Sequence, residues 1–401
     1  EDRERLSGDY AIGGETSVNE GMATLITAML VDPAFLYFPE IEGAEVSPGV
    51  VELTSHELAA RLARVLWDSV PDDELMQAAD TGLDDDTLVA QIERMLADDR
   101  ARSAVDRFYR DWLGLEALPY PPEALFPDAA VRDALRADME AEVLGFAKLV
   151  TLDDEGTYVD LLLDRTAIVS SPELAAVYGV GEGEVTLPED QRAGLLTRAG
   201  WLATIEIRGS NAGHLIKRGA KLGHLVCRAL PPPDPGNFPQ NDPADPATNP
   251  DVGLRERFKA ATADANCNGC HAQLDAFGAP FGHYGSAGQW IAVETISLED
   301  GSTAELDIDT ASQIQFTTDA VVDIPDALVL SQELANSGIG AQCFAEQITR
   351  NIVARPLEGA DQCLSNVGSV ALAPGDGDPT SIREAIVRMT TSDQFRRVAI
   401  Q

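Results

Sequence analysis

Apolar residues recur at helical spacing through most of the 401 residues. From Ser17 to Val31, Met22, Leu25, Ile26 and Met29 share one face and the run stops near Pro33, which predicts a helix. An aromatic knot follows at Phe35, Tyr37 and Phe38. Thr54-Ser55-His56-Glu57 has the pattern of a capping box, and Leu58, Leu62, Val65 and Leu66 behind it form an apolar stripe. His56, inside that capped turn, reads as a surface or capping residue and not as a ligand. Pro71 suits a helix N1 position with Leu75 and Met76 then facing inward. Leu88, Ile92, Met95 and Leu96 mark the next helix, and Val105, Phe108 and Trp112 another.

Beyond a turn-rich break at Pro119 to Pro122, a long helical pattern runs from about Pro127 to Val150. Ser171, Pro172 and Gly179 bracket a short helix as N-cap, N1 and terminator. Glu189 to Thr204 and Leu215 to Leu230 also read as helices. Eight prolines between 231 and 251 then predict an extended, polyproline-like strap. From Ile291 to Phe316 the pattern turns β-like, with Glu299-Asp300-Gly301-Ser302 as a hairpin turn. Ile324 to Ala335, Ala341 to Val353 and Ser381 to Arg397 return to helical spacing. The fold class is therefore mainly α, multi-helical, with a small β-hairpin near 291–316.

Charge narrows the partners. Against 29 Lys and Arg stand 67 Asp and Glu, a net charge of −38, so nucleic acid and anionic membrane surfaces are repelled and cationic partners attracted. A solvated surface suited to salty surroundings accounts for the same excess without any ligand. No apolar run approaches the length of a membrane span. The first residue is Glu1 and no signal peptide precedes it, which points to a processed form or to a piece of a longer precursor.

Chemistry concentrates in Cys267-Asn268-Gly269-Cys270-His271. A C-x-x-C-H run arises by chance in roughly one chain in a thousand of this composition. Two thiols three positions apart can each add to one haem vinyl group, and the next residue aims its imidazole at the iron from the same turn of chain. A redox dithiol would open a helix after a strand, and no such strand precedes the motif. A closed zinc site needs two further ligands, and no second C-x-x-C or H-x-x-x-H pair supplies them. The expectation is one covalent haem c, with Cys267 and Cys270 as thioether anchors and His271 as the proximal iron ligand. Asp234, Asp242, Asp245 and Asp251 are a calcium alternative that lacks the D-x-D-x-D-G spacing. Of the other cysteines, Cys343 and Cys363 are expected to form a disulfide closing a short loop. Cys227 is then left buried and free, or paired with another chain.

From Leu30 onward the chain resembles a family of large secreted bacterial proteins that carry a cytochrome-c-like C-x-x-C-H domain between helical domains of unknown function. The resemblance rests on Asp32 to Tyr37, Leu53 to Trp67, Pro71 to Leu75, Arg94 to Arg100 and Asp111 to Leu113 in a first helical domain. In the haem domain it rests on Arg218-Gly219, Cys227 with Pro231 to Pro233, Arg255 to Phe258, the motif itself and Asp275 to Trp290. In the last domain it rests on Cys343 through Arg350, Cys363 and Ser392 to Arg396. It implies multi-helical domains around a cytochrome-c-like haem domain: 1–40 as the tail of a preceding module, 41–205 helical, 206–292 the haem domain with the strap 231–251, and 293–401 a hairpin with a C-terminal helical domain. The chain departs from the family in having Ala261 where a His often precedes the motif.

The sixth iron ligand separates the functional classes. A strong side chain there gives electron transfer, and an open position gives ligand binding or catalysis. Candidates are His283, His214 and His224, with Met95 and Met389 behind them. Phe277, Phe281, Tyr284 and Trp290 either wall the porphyrin or form ordinary core. The leading expectation is a periplasmic or extracellular mono-haem cytochrome that passes electrons to a redox partner or within a self-assembled array. A haem enzyme oxidising peroxide or small molecules, and a haem-containing surface-assembly protein, are the alternatives.

Overall fold

The computed structural model describes residues 2–37, 39–40, 42–153, 155–207, 209–230, 251–298, 300–317, 320–373 and 380–399. The strap expected at 231–251 lies outside the described residues except for Asp251, as do three of the four calcium-candidate aspartates. The chain forms two compact units, Glu1–Met95 with Thr390–Gln401, and Leu96–Met389. The fold is mainly α with small antiparallel strand pairs.

The first unit opens with helices α1 (Asp2–Gly14) and α2 (Val18–Val31) and the single turn α3 (Pro33–Leu36). Ser17 caps α2 by accepting a hydrogen bond from the Glu20 amide at 3.2 Å. Strands β1 (Ala44–Ser47) and β2 (Val50–Glu52) lead into α4 (Ser55–Trp67), which begins with the anticipated capping box between Thr54 and Glu57. Leu58, Leu62, Val65 and Leu66 are all buried, so the stripe faces the core. His56 is exposed, its Nε2 3.0 Å from Asp80. In α5 (Asp73–Thr81) the cap is Asp72, which accepts from the Leu75 amide; Pro71 therefore lies before the cap and not at N1. Leu75 is fully buried, but Met76, about 100° round the helix, is exposed. Next comes α6 (Asp85–Leu96), with Leu88, Ile92, Met95 and Leu96 buried as expected.

The second unit is built around α7 (Asp99–Leu113) and the long α8 (Ala129–Lys148), followed by α9 (Tyr158–Leu163), strand β3 (Thr166–Val169), α10 (Pro172–Tyr178) and β4 (Gly183–Thr186). β3 and β4 pair antiparallel. Ser171, Pro172 and Gly179 cap α10 as the sequence predicts, with Gly179 in the left-handed region. At the heart of this layer the buried Arg198 guanidinium meets Glu142 at 2.5 Å, and the Tyr178 hydroxyl donates to the same carboxylate.

The helix expected over 189–204 does not form. Only the turn 195–197 and α11 (Ala199–Leu202) are helical. Gly194 takes φ +50° and ψ −149°, and a Cβ there would sit 2.0 Å from the Leu162 carbonyl carbon. Arg192 and Thr197 instead satisfy the backbone of this buried loop, donating to Thr197 O and accepting from Ala193 N at 2.7 Å each.

Helices α12 (Leu215–Leu225), α13 (Leu254–Ala261) and α14 (Ala265–Gly278) follow. α12 is shorter than the predicted 215–230. The Cys227 and Arg228 amides fold back onto His224 and Gly223, and Cys227 takes φ +54°. The expected hairpin is present as β5 (Glu294–Ser297) and β6 (Thr303–Leu306), and a second hairpin, β7 (Ser312–Thr317) with β8 (Ala320–Ile324), extends the β-region. α15 (Ala327–Asn336), α16 (Gly338–Val353), α17 (Gln362–Leu372) and α18 (Ile382–Thr391) complete the unit, with Phe344, Ile348 and Ile352 buried in line on α16. The predicted helix 381–397 is broken. Ser392 starts a new cap for α19 (Asp393–Arg396), and β9 (Arg397–Ala399) then pairs with β2 in the first unit.

Candidate functional site

α14 carries the C-x-x-C-H motif at its start. The Asp264 carbonyl accepts from the amides of Cys267 and Asn268 at 2.9 Å, which fixes the first turn. Cys267, Cys270 and His271 then stand at i, i+3 and i+4, on one face of the helix. Both thiols are free, Cys270 exposed and Cys267 partly so. The His271 ring is partly buried, and its Nδ1 is enclosed with no hydrogen-bond partner among the described residues. Burial lowers the His271 pKa, favouring the neutral imidazole that metals bind.

The other half of α14 is held from several sides. Where it crosses α12, a Cβ on Gly219 would lie 2.0 Å from Leu274 O, and one on Gly278 would lie 2.0 Å from Leu215 O, so backbone touches backbone. The Gln273 amide donates to Arg228 O at 3.0 Å, the Ser312 hydroxyl to Ala276 O at 2.7 Å, and Asp275 accepts from Arg255 at 3.0 Å. None of these bonds involves the motif's own turn, and nothing lies within 4 Å of a Cβ built on Gly269. A fixed C-terminal half thus presents an accessible N-terminal face.

Beneath this crossing Arg218 of α12 is fully buried. Its guanidinium donates to Leu202 O at 2.8 Å, Phe281 O at 3.0 Å, Tyr284 O at 2.5 Å and Gly285 O at 2.6 Å. Burial pulls its pKa down to about 9, so it stays charged at neutral pH. Lys221, one turn on, donates to Trp201 O at 2.7 Å and Ala203 O at 3.1 Å, and burial, then Arg218, holds its pKa near 8. These cations tie α12 to the loops on either side. The Arg218-Gly219 pair was the available sequence signal, but nothing in spacing tells that its partners are carbonyls.

The candidate distal residues are dispersed. His283 Nδ1 pairs with Ile291 O at 2.9 Å and its ring stacks on Trp290 at 4.7 Å. His214 precedes the first turn of α12 with its ring 5.0 Å from Phe258. Both belong to the end of the crossing where Leu215 meets Gly278, seven residues from His271 along α14 and hence roughly 10 Å away on the helix rise. His224 is exposed at the other end of α12, its pKa lowered by partial burial of the ring and by Arg350. Met95 is core in the first unit, and Met389 packs with its Sδ against Gly368. Phe277, Phe281 and Tyr284 are buried; Phe281 lies 5.1 Å from Trp201, and the Tyr284 hydroxyl donates to Gln191 O. These three aromatics are core. Among the described residues no three His, Cys, Asp or Glu side chains converge on a metal-sized site.

The disulfide differs from the expected Cys343–Cys363. Cys343 bonds to Cys227, across 116 residues, while Cys363 is free and exposed. The left-handed turn at Cys227 after α12 carries its sulfur to α16, which sequence spacing does not disclose.

Residues 53–180 match the family model PSD4, a protein of unknown function (DUF1592), and residues 192–294 match PSCyt3, a protein of unknown function (DUF1588). Both are cytochrome-c-related families, and the second match encloses α12, α13, α14 and the motif. No curated protein and no solved structure matches the chain.

Proposed function

We propose that Cys267 and Cys270 anchor one haem covalently, that His271 ligates its iron, and that the chain works outside the cytoplasm as a mono-haem electron-transfer protein. The observation that carries this reading is the single helical face on which two free thiols and an imidazole with an unpartnered nitrogen stand together. The residues fit the group. Held there, haem supplies a one-electron iron couple. Asp264 fixes the turn that spaces the sulfurs, and the Gly219–Gly278 crossing holds the rest of α14 so that His271 keeps one orientation. The Cys227–Cys343 disulfide fits an oxidising compartment.

A reversible one-electron step in a midpoint titration, lost together with covalent pigment in Cys267→Ala/Cys270→Ala, is the expected result. No reversible step would sink the electron-transfer role. A second reading has its own support: His283 and His214 are engaged by packing toward the far end of the crossing, which removes two of the three candidate histidines and favours an open sixth position with small-molecule oxidation unless His224 fills it. A low-spin spectrum indifferent to cyanide and carbon monoxide supports transfer; a high-spin one that shifts with either supports the oxidase reading.

A further inference from the structure

Helix α2 exposes an apolar seam that the proposed function does not use. Val18, Met22, Leu25 and Met29 repeat at four, three and four residues, the d-a-d-a spacing of a coiled coil over two heptads, and Ile26 flanks them at an e position. Val18 is 69%, Met22 45% and Met29 47% exposed, as is the flanking Ile26 at 49%, while Leu25 is half-buried. The side of α2 that meets α1 is a different one. A Cβ on Gly21 would lie 2.8 Å from the Tyr10 ring, and one on Gly13 would lie 2.3 Å from Glu20 O, so the hairpin closes through small residues and leaves the seam outward. Glu20, the one charged residue of α2, sits at an f position, opposite the seam.

We infer that this seam pairs with the same seam of a second copy of the chain, two α1–α2 hairpins forming a four-helix bundle. Three features select that occupant. Heptad spacing calls for a helix as partner, and α2 of another copy supplies one of matching length, about 21 Å. The seam is free of charge on a chain of net charge −38, so two copies meet there without the repulsion that opposes contact elsewhere. Its exposed side chains, with Leu30 and Phe35 beside them, present roughly 600 Å², near the ~800 Å² per partner of a standard interface. A lipid surface is the poorer fit, because α2 has no Lys or Arg to face headgroups. The inference is independent of the haem reading.

The test is the oligomeric state of the whole chain by sedimentation velocity between about 0.1 and 50 μM, a range that spans typical dimer affinities. The wild type is expected to be a dimer at the upper end. Met22→Glu/Met29→Glu is expected to weaken association at least ~100-fold by burying charge, while Met22→Leu/Met29→Leu stays dimeric. Unchanged far-UV circular dichroism confirms that the variants fold, as exposed positions should allow. A wild type that remains monomeric overturns the inference, including one that instead floats with phosphatidylcholine vesicles. A Glu variant that dimerises like the wild type overturns it equally, since the contact then lies elsewhere.

Discussion

Gly219→Ala isolates the contact that holds the motif helix. In an unconstrained helix interior, alanine would stabilise by about 1 kcal/mol relative to glycine. At this crossing the added Cβ would stand 2.0 Å from Leu274 O, 2.9 Å from Leu274 C and 3.1 Å from Gly278 N. All three atoms are backbone, so no side chain can swing aside, and restoring ordinary contact separates the helices by roughly 1.4 Å. Overpacking of that kind costs about 3 kcal/mol, which outweighs the propensity gain and leaves a net loss of about 2 kcal/mol. Gly269→Ala is the control on the same helix: nothing lies within 4 Å of its Cβ, so it should gain about 1 kcal/mol. Because the chain has two units, a single melting curve mixes them. Hydrogen exchange of the α12 and α14 amides reads the crossing itself, and Gly219→Ala should lose protection there while Gly269→Ala keeps it. Equal or greater protection in Gly219→Ala would refute the backbone-on-backbone crossing.

The disulfide gives a second prediction. Cys227→Ser should destabilise by up to about 5 kcal/mol on the loop-entropy estimate for a 116-residue separation, and Cys363→Ser by almost nothing; the reverse order restores the short-loop pairing. Arg218→Met should cost at least about 3 kcal/mol, measured by denaturant unfolding, because it strands four buried carbonyls; a change under ~1 kcal/mol would mean water replaces the guanidinium. Lys221 predicts a pH effect. Its folded pKa near 8 lies below the ordinary 10.5, so between those values the unfolded chain holds more protons and stability rises with pH, by up to about 3 kcal/mol. Lys221→Met should flatten that rise; a steeper rise in the variant would contradict the assignment.

Helices with a cap and a one-sided stripe were legible in the sequence, because local hydrogen bonding and burial point the same way. α4 with Thr54 and Glu57, and α10 with Ser171, Pro172 and Gly179, show this. The segment 189–204 misled because its apolar spacing suits a helix, while Gly194 and the side chains of Arg192 and Thr197 serve a buried loop that only tertiary contact defines. At the candidate site the three motif residues were legible because thiol spacing and imidazole position are local. Three of the four Arg218 partners, the Gly219–Gly278 contact and the Cys227–Cys343 bond join residues 59 to 116 positions apart, and no periodicity encodes them.

Covalent haem at Cys267 and Cys270 is the claim on which the functional reading turns. The intact mass of the denatured chain, purified from a host that attaches haem to exported proteins, tests it most directly. The expected mass is one chain plus one haem, falling to the bare chain in Cys267→Ala/Cys270→Ala. A wild-type chain of bare mass, or one whose pigment leaves in acidified solvent, would contradict it.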